Sequence, residues 1–124
     1  MKVYQSFAPK AVIFACVVAA AGAHAQDAAA GKTVFAQCTA CHSIDGKNGA
    51  GPSLKGVLGR TAGSEAGFHF SRAMMSAGIQ WNADSLAAFI ADPQKAVPGN
   101  VMPFSGIPDA KQRNDLIAFL QSLN

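Results

Sequence analysis

Cys38-Thr39-Ala40-Cys41-His42 is the stretch on which the reading of this chain turns. The spacing predicts a helical segment in which Cys38, Cys41 three residues on and His42 four residues on share one face. Two thiols on that face can add to the two vinyl groups of a haem while the adjacent imidazole points at the iron. C-x-x-C-H therefore reads as a c-type haem attachment site. Other chemistries fit the pair less well. A thiol redox motif would sit in a βαβ pattern, and none surrounds it. Zinc would need a second pair of ligands, and no cysteine follows Cys41. A structural disulfide between Cys38 and Cys41 is the remaining alternative.

Residues 1–25 read as a secretory signal peptide and not as part of the fold. Lys2 and Lys10 give a positive start, Ala11 to Gly22 is apolar, and Ala23-His24-Ala25 supplies an A-x-A cleavage site before Gln26. The apolar run is too short to span a bilayer as a helix, which counts against an uncleaved anchor. Cys16 is followed by more apolar residues, which counts against a lipid-modified N-terminus there. The expectation is export to a bacterial periplasm, cleavage after Ala25, and one domain over residues 26–124. That domain holds eight basic and seven acidic residues, so its net charge is +1 where the whole chain has +3. Nucleic-acid binding has no support at that charge.

From Asp27, a plausible N-cap, a helix is predicted through Cys41, with Gly31 and Phe35 one turn apart on one face. Gly31 is a poor helix former and marks either a close approach by another element or a tolerated glycine near a helix start. Ser43 to Gly67 is a glycine-rich loop, long enough that it must wrap something. Within it the Pro52 carbonyl is placed to accept a bond from the His42 N–H, which would fix the tautomer and raise the ligand's basicity. Arg60, the loop's last cation, is either the partner of a haem propionate or a solvated surface arginine. A short helix is predicted within Ser71 to Ala77. Another is expected over Ala83 to Ala91, capped by Asn82 and stopped at Asp92 by Pro93. Gln94 to Ile107 reads as a second loop centred on Val101-Met102-Pro103-Phe104. A last helix opens on Asp109-x-x-Gln112, a capping-box pattern, and carries Leu116, Phe119, Leu120 and Leu123 on one face.

With His42 on one side of the iron, four residues compete for the other: His69, Met74, Met75 and Met102. His69 lies between two phenylalanines and also reads as a polar residue at the haem edge. Met74 and Met75 also read as core filling. Met102 sits on a Pro/Gly-framed loop far from His42 in sequence, the kind of segment that presents ligands.

The order of motifs adds a resemblance. CTACH, GPSLKGVLGR, AGF, GIQW, SLAAFIADP, PGNVMPFSGI and DLIAFL run in sequence from Cys38 to Leu120. With the Gly31/Phe35 helix, the chain resembles a class I c-type cytochrome of the mitochondrial cytochrome c and bacterial cytochrome c2 type. The resemblance implies an all-α fold of helices and long loops wrapped around one haem c, with first and last helices crossing at Gly31, Phe35, Leu116 and Phe119. It implies thioether links from Cys38 and Cys41, axial ligands His42 and Met102, and a Pro52 bond to His42. It places Arg60 and Trp81 near a propionate. The chain departs from the family pattern in carrying Phe70 and Phe89 where tyrosines are common. Met74 stands where an asparagine usually supports a buried water, and Val101 where a lysine usually precedes the methionine. The lysine ring that docks acidic partners is thinned to Lys32, Lys47, Lys55 and Lys95.

A histidine and a thioether close the iron, and a soft sulfur favours its reduced form. The expectation is a monomeric periplasmic one-electron carrier, not an enzyme. Its partners would be redox proteins met in small, transient complexes: a membrane cytochrome complex, an oxidase, a reaction centre or a dehydrogenase. The competing class is a haem enzyme or ligand sensor with a labile sixth position, for which His69 would have to supply the polar distal group.

Overall fold

The computed structural model of the protein describes residues 1–3 and 26–124. The expected leader's apolar run and the expected cleavage site after Ala25 lie outside the described residues. Five helices follow: α1 (Ala28–Phe35), α2 (Arg72–Met75), α3 (Ala83–Ala91), α4 (Pro93–Ala96) and α5 (Ala110–Gln121). Among the described residues the fold is all-α, its only extended pairing an isolated antiparallel bridge between Thr61 and Gln80. No helix among them is long and apolar enough to cross a membrane.

Asp27 caps α1 by accepting from the Ala29 and Ala30 N–H groups at 2.9 and 3.1 Å. The helix ends at Phe35, short of the Cys41 expected. Beyond it Ala36, Gln37 and Cys38 donate to carbonyls three residues back, the tighter 3₁₀ spacing. The Thr39 hydroxyl donates to Ala36 O at 3.0 Å, the carbonyl that the next α-helical amide would have used. Cys38 O still receives both the Cys41 and His42 N–H groups, so the attachment motif closes as one turn of its own.

Asn82 and Ser85 cap α3 reciprocally, each side chain accepting from the other's amide at 2.9 Å. Asp92 then leaves the helix in extended conformation, as the proline predicts, but the chain does not continue as loop. Pro93 occupies the first position of α4, where its missing N–H costs nothing, and Asp92 caps it by accepting from Lys95 N. In α5 Asp109 accepts from Gln112 N at 2.8 Å. The helix packs on α1 and on α3, so its buried face is wider than a single stripe. Ile117 and Asp115 are buried beside the expected Leu116, Phe119 and Leu120.

The α1–α5 crossing is set by Gly31, at which a Cβ would lie 1.9 Å from Asp115 O. The Phe35 and Phe119 rings pack at 5.3 Å, tilted by 49°. One carboxylate locks the joint. Asp115 accepts from Asp27 N at 3.0 Å and pairs with Lys111 Nζ at 2.6 Å. The Lys111 hydrogen bond, and after it the Asp27 N–H, hold the Asp115 carboxyl below its ordinary value, and the same bond raises Lys111. A depressed carboxyl contributes stability that is complete above its unfolded value of about 3.9 and is lost as pH falls through the lower folded value. The Lys111 share runs the other way. It is complete below about 10.4 and is lost as pH rises through the raised folded value. Asp115→Asn is therefore expected to lower the denaturant midpoint at neutral pH and to flatten its decline in acid. A series of denaturant titrations across pH measures both.

Candidate haem site

One cavity of about 370 Å³ collects the residues singled out in the sequence. Cys38, Cys41 and His42 line it from the end of α1, and Pro52, Arg60 and Trp81 from the loops. Met102 lines it from the segment between α4 and α5. Most of the remaining wall is apolar, including Phe35, Leu54, Leu86, Phe89 and Leu120.

Local bonds explain how each group arrives. Gly51 N donates to Cys41 O at 2.8 Å, clipping the long loop against the attachment motif. This holds His42 Nδ1 2.7 Å from Pro52 O. A carbonyl only accepts, so the imidazole proton belongs on Nδ1 and the Nε2 lone pair is bare. The approach requires a glycine at 51, where a Cβ would stand 2.5 Å from His42 Cε1. Cys38 and Cys41 are free thiols, which sets aside the disulfide. Burial pushes the Cys38 thiol up, and the charge of Cys41 adds to the shift.

Arg60 and Trp81 reach the cavity together. Trp81 N donates to Arg60 O at 2.8 Å and Gly59 N to Trp81 O at 2.6 Å on one side of the Thr61–Gln80 bridge, and Ala62 N donates to Ile79 O at 2.8 Å on the other. Arg60 is not a solvated surface arginine. Its Nη1 donates to Ser53 O at 2.8 Å, and its Nη2 lies 3.0 Å from the Glu65 carboxylate. The sequence reading missed Glu65; only its spacing of five residues from Arg60 hinted at a pair. The Trp81 ring is buried against Phe89 at 5.1 Å.

Two of the four competitors for the second iron position, His69 and Met75, lie outside the cavity. Phe68 and Phe70 line the cavity, and the intervening His69 is exposed, because side chains alternate along the non-helical backbone. Met75 is 58 % exposed, while Met74 and Met102 both line the cavity. Val101 projects outward at 76 % exposure.

Two free thiols, an imidazole with a bare Nε2, the thioethers of Met74 and Met102 and apolar walls around one volume include the donor set and the cradle a covalently bound haem requires. The residues present fit that group. Comparison with known proteins points the same way. The family model described as Cytochrome c matches residues 28–124. Cytochrome c of Tetrahymena pyriformis is 49% identical over 98 residues, 78% of this chain and 89% of its own length. Cytochrome c2 of Blastochloris viridis is 41% identical over 114 residues, 90% of each chain. Among solved structures, cytochrome cH from Methylobacterium extorquens superposes with a TM-score of 0.75 at 48% identity, covering 77% of this chain and 98% of that one.

Proposed function

The chain belongs to the cytochrome c family, and from that premise we propose a periplasmic one-electron carrier with the haem iron between His42 and Met102. The coarse role is that of a haem-containing electron carrier with covalently bound haem c, meeting redox partners. In the finer reading, residues 1–25 direct export and are removed after Ala25, and residues 26–124 form the working domain. Cys38 and Cys41 make the two thioether links.

The bound haem supplies reversible one-electron chemistry at its iron. The chain's own residues set how readily that happens. His42, its Nδ1–H donated to Pro52 O, presents Nε2 in a fixed orientation. Met102 offers a soft sulfur, which favours the reduced iron. The apolar wall penalises the extra charge of the oxidised centre in the same direction. Arg60, held by Ser53 O and paired with Glu65, places a balanced charge pair at the cavity edge. A closed site with these ligands suits electron transfer to a docked partner without bond-making, so the protein is not an enzyme. Its partners are redox proteins, held briefly.

The observation that carries this reading is the cavity's donor set: one imidazole and the thioethers of Met74 and Met102 face it, and His69 lies outside. Met102 is preferred because its loop is far from His42 in sequence. An enzyme or ligand sensor would need a polar distal group, and His69 is turned away from that position. The test is an optical spectrum of the oxidised protein, searched for the weak red iron–methionine charge-transfer band. The band is expected in the wild type, lost in Met102→Ala, and slow to yield to added cyanide until Met102 is removed. A wild type without the band that binds cyanide at once would make the site open and the carrier reading wrong.

A further inference from the structure

Asn100 stands two residues before Met102 and is only 6% exposed. A buried amide is costly unless each of its groups is bonded, and here each is. Its two N–H groups donate to Pro93 O at 2.8 Å and Val97 O at 2.9 Å, carbonyls at the start and the end of α4. Its Oδ1 accepts from the Met102 backbone N–H at 3.0 Å. Its own carbonyl accepts from Gln94 Nε2 at 2.8 Å, and Gln94 Oε1 accepts in turn from Gly99 N at 3.2 Å. Pro93, under this knot, is fully buried.

Such a network matters because the segment from 98 to 109 has no helix of its own. A thioether on a loosely held loop would leave the iron each time the loop opened. We propose that Asn100 is the positioning residue for the Met102 thioether, tying its backbone to α4 so that the sixth ligand is presented by a braced loop. The inference rests on Met102 being the ligand. Asn100 also lines the cavity, but in this role it acts through the Met102 amide, which its Oδ1 holds. Nothing in the sequence reading assigned it a function, because an asparagine after Pro98-Gly99 looks like ordinary turn chemistry.

Binding of cyanide to the oxidised protein must wait for the sulfur to leave, so its rate reports the population of the opened loop. The experiment uses the mature holoprotein as wild type, Asn100→Ala, Gln94→Ala and Met102→Ala, with the red charge-transfer band, the cyanide-binding rate and the denaturant midpoint read for each. Asn100→Ala is expected to bind cyanide about tenfold faster than wild type (about 1.4 kcal/mol), and to weaken the red band under conditions where it is fully folded. Gln94→Ala, which loosens the outer part of the same knot, is expected to shift both readouts in the same direction by less. A role confined to stability would lower the midpoint of Asn100→Ala and leave its cyanide rate and band at wild-type values; that result overturns the proposal. If Asn100→Ala does not accumulate as holoprotein, Gln94→Ala decides: a faster rate supports the brace and an unchanged one refutes it. A wild type that lacks the band and binds cyanide as fast as Met102→Ala would instead remove the ligand assignment, and the proposal with it.

Discussion

A Cys38→Ala/Cys41→Ala double variant is expected to emerge without covalent haem and largely unfolded. The reason is that the core and the cofactor cavity share a wall. Phe35, Val57, Trp81, Leu86, Phe89, Leu116 and Leu120 belong both to the buried core and to the cavity lining. A space of about 370 Å³ left without its occupant, at about 24 cal/mol per Å³, corresponds to a deficit on the order of 9 kcal/mol. That is comparable with the whole stability of a small domain, roughly 5–15 kcal/mol. Extraction into acidified organic solvent is the direct check. Haem should stay with the wild-type polypeptide and leave the variant, whose far-UV circular dichroism should lose its helical signal. A variant that kept both haem and helix would show that the core closes without the thioethers.

Gly31→Ala is expected to be the most damaging conservative change on the helical scaffold, at about 3 kcal/mol or more. Alanine favours a helix interior over glycine by about 1 kcal/mol, so propensity alone predicts a gain. Sterics decide otherwise. The added methyl would lie 1.9 Å from Asp115 O, 2.5 Å from Asp115 C and 2.9 Å from Phe119 Cβ. Two of those three atoms are backbone, which cannot swing aside as a side-chain tip can. The helix α1 would have to lift away from α5, opening the Phe35–Phe119 contact and pulling Asp27 N from the Asp115 carboxylate. Denaturant midpoints of holoprotein measure the loss. A variant as stable as the wild type would contradict the crossing described above.

The sequence was most legible where one residue type admits one structural use. Asn82 and Pro93 bounded α3, whereas Gly31 left a close approach and a tolerated glycine both open, and the crossing was given by the family resemblance. It was least legible where one residue serves two uses. Pro93 ends one helix and also starts the next, and only the first use was read. The α1 helix was extended to Cys41 because the cysteine spacing fits a helix, whereas the Thr39 hydroxyl redirects the backbone. In the site, the spacing of Cys38, Cys41 and His42 carried the attachment motif. Among His69, Met74, Met75 and Met102, alternation at 68–70 turns His69 away and exposure removes Met75, while Met74 and Met102 both line the cavity. The engagement of Arg60 by Glu65 and the burial of Asn100 left no periodic trace, since both depend on how two loops fold back on themselves.

The Asp27–Asp115 bond joins positions 88 residues apart. The surface that α1 is shaped to meet is therefore made long after α1 itself when the polypeptide is synthesised from its N-terminus. Until Phe119 emerges, Phe35 has no ring to lie against, and the chain must travel open. For a protein proposed to be exported, that order is useful: non-local closure is slow, and here it is deferred until α5 has been made.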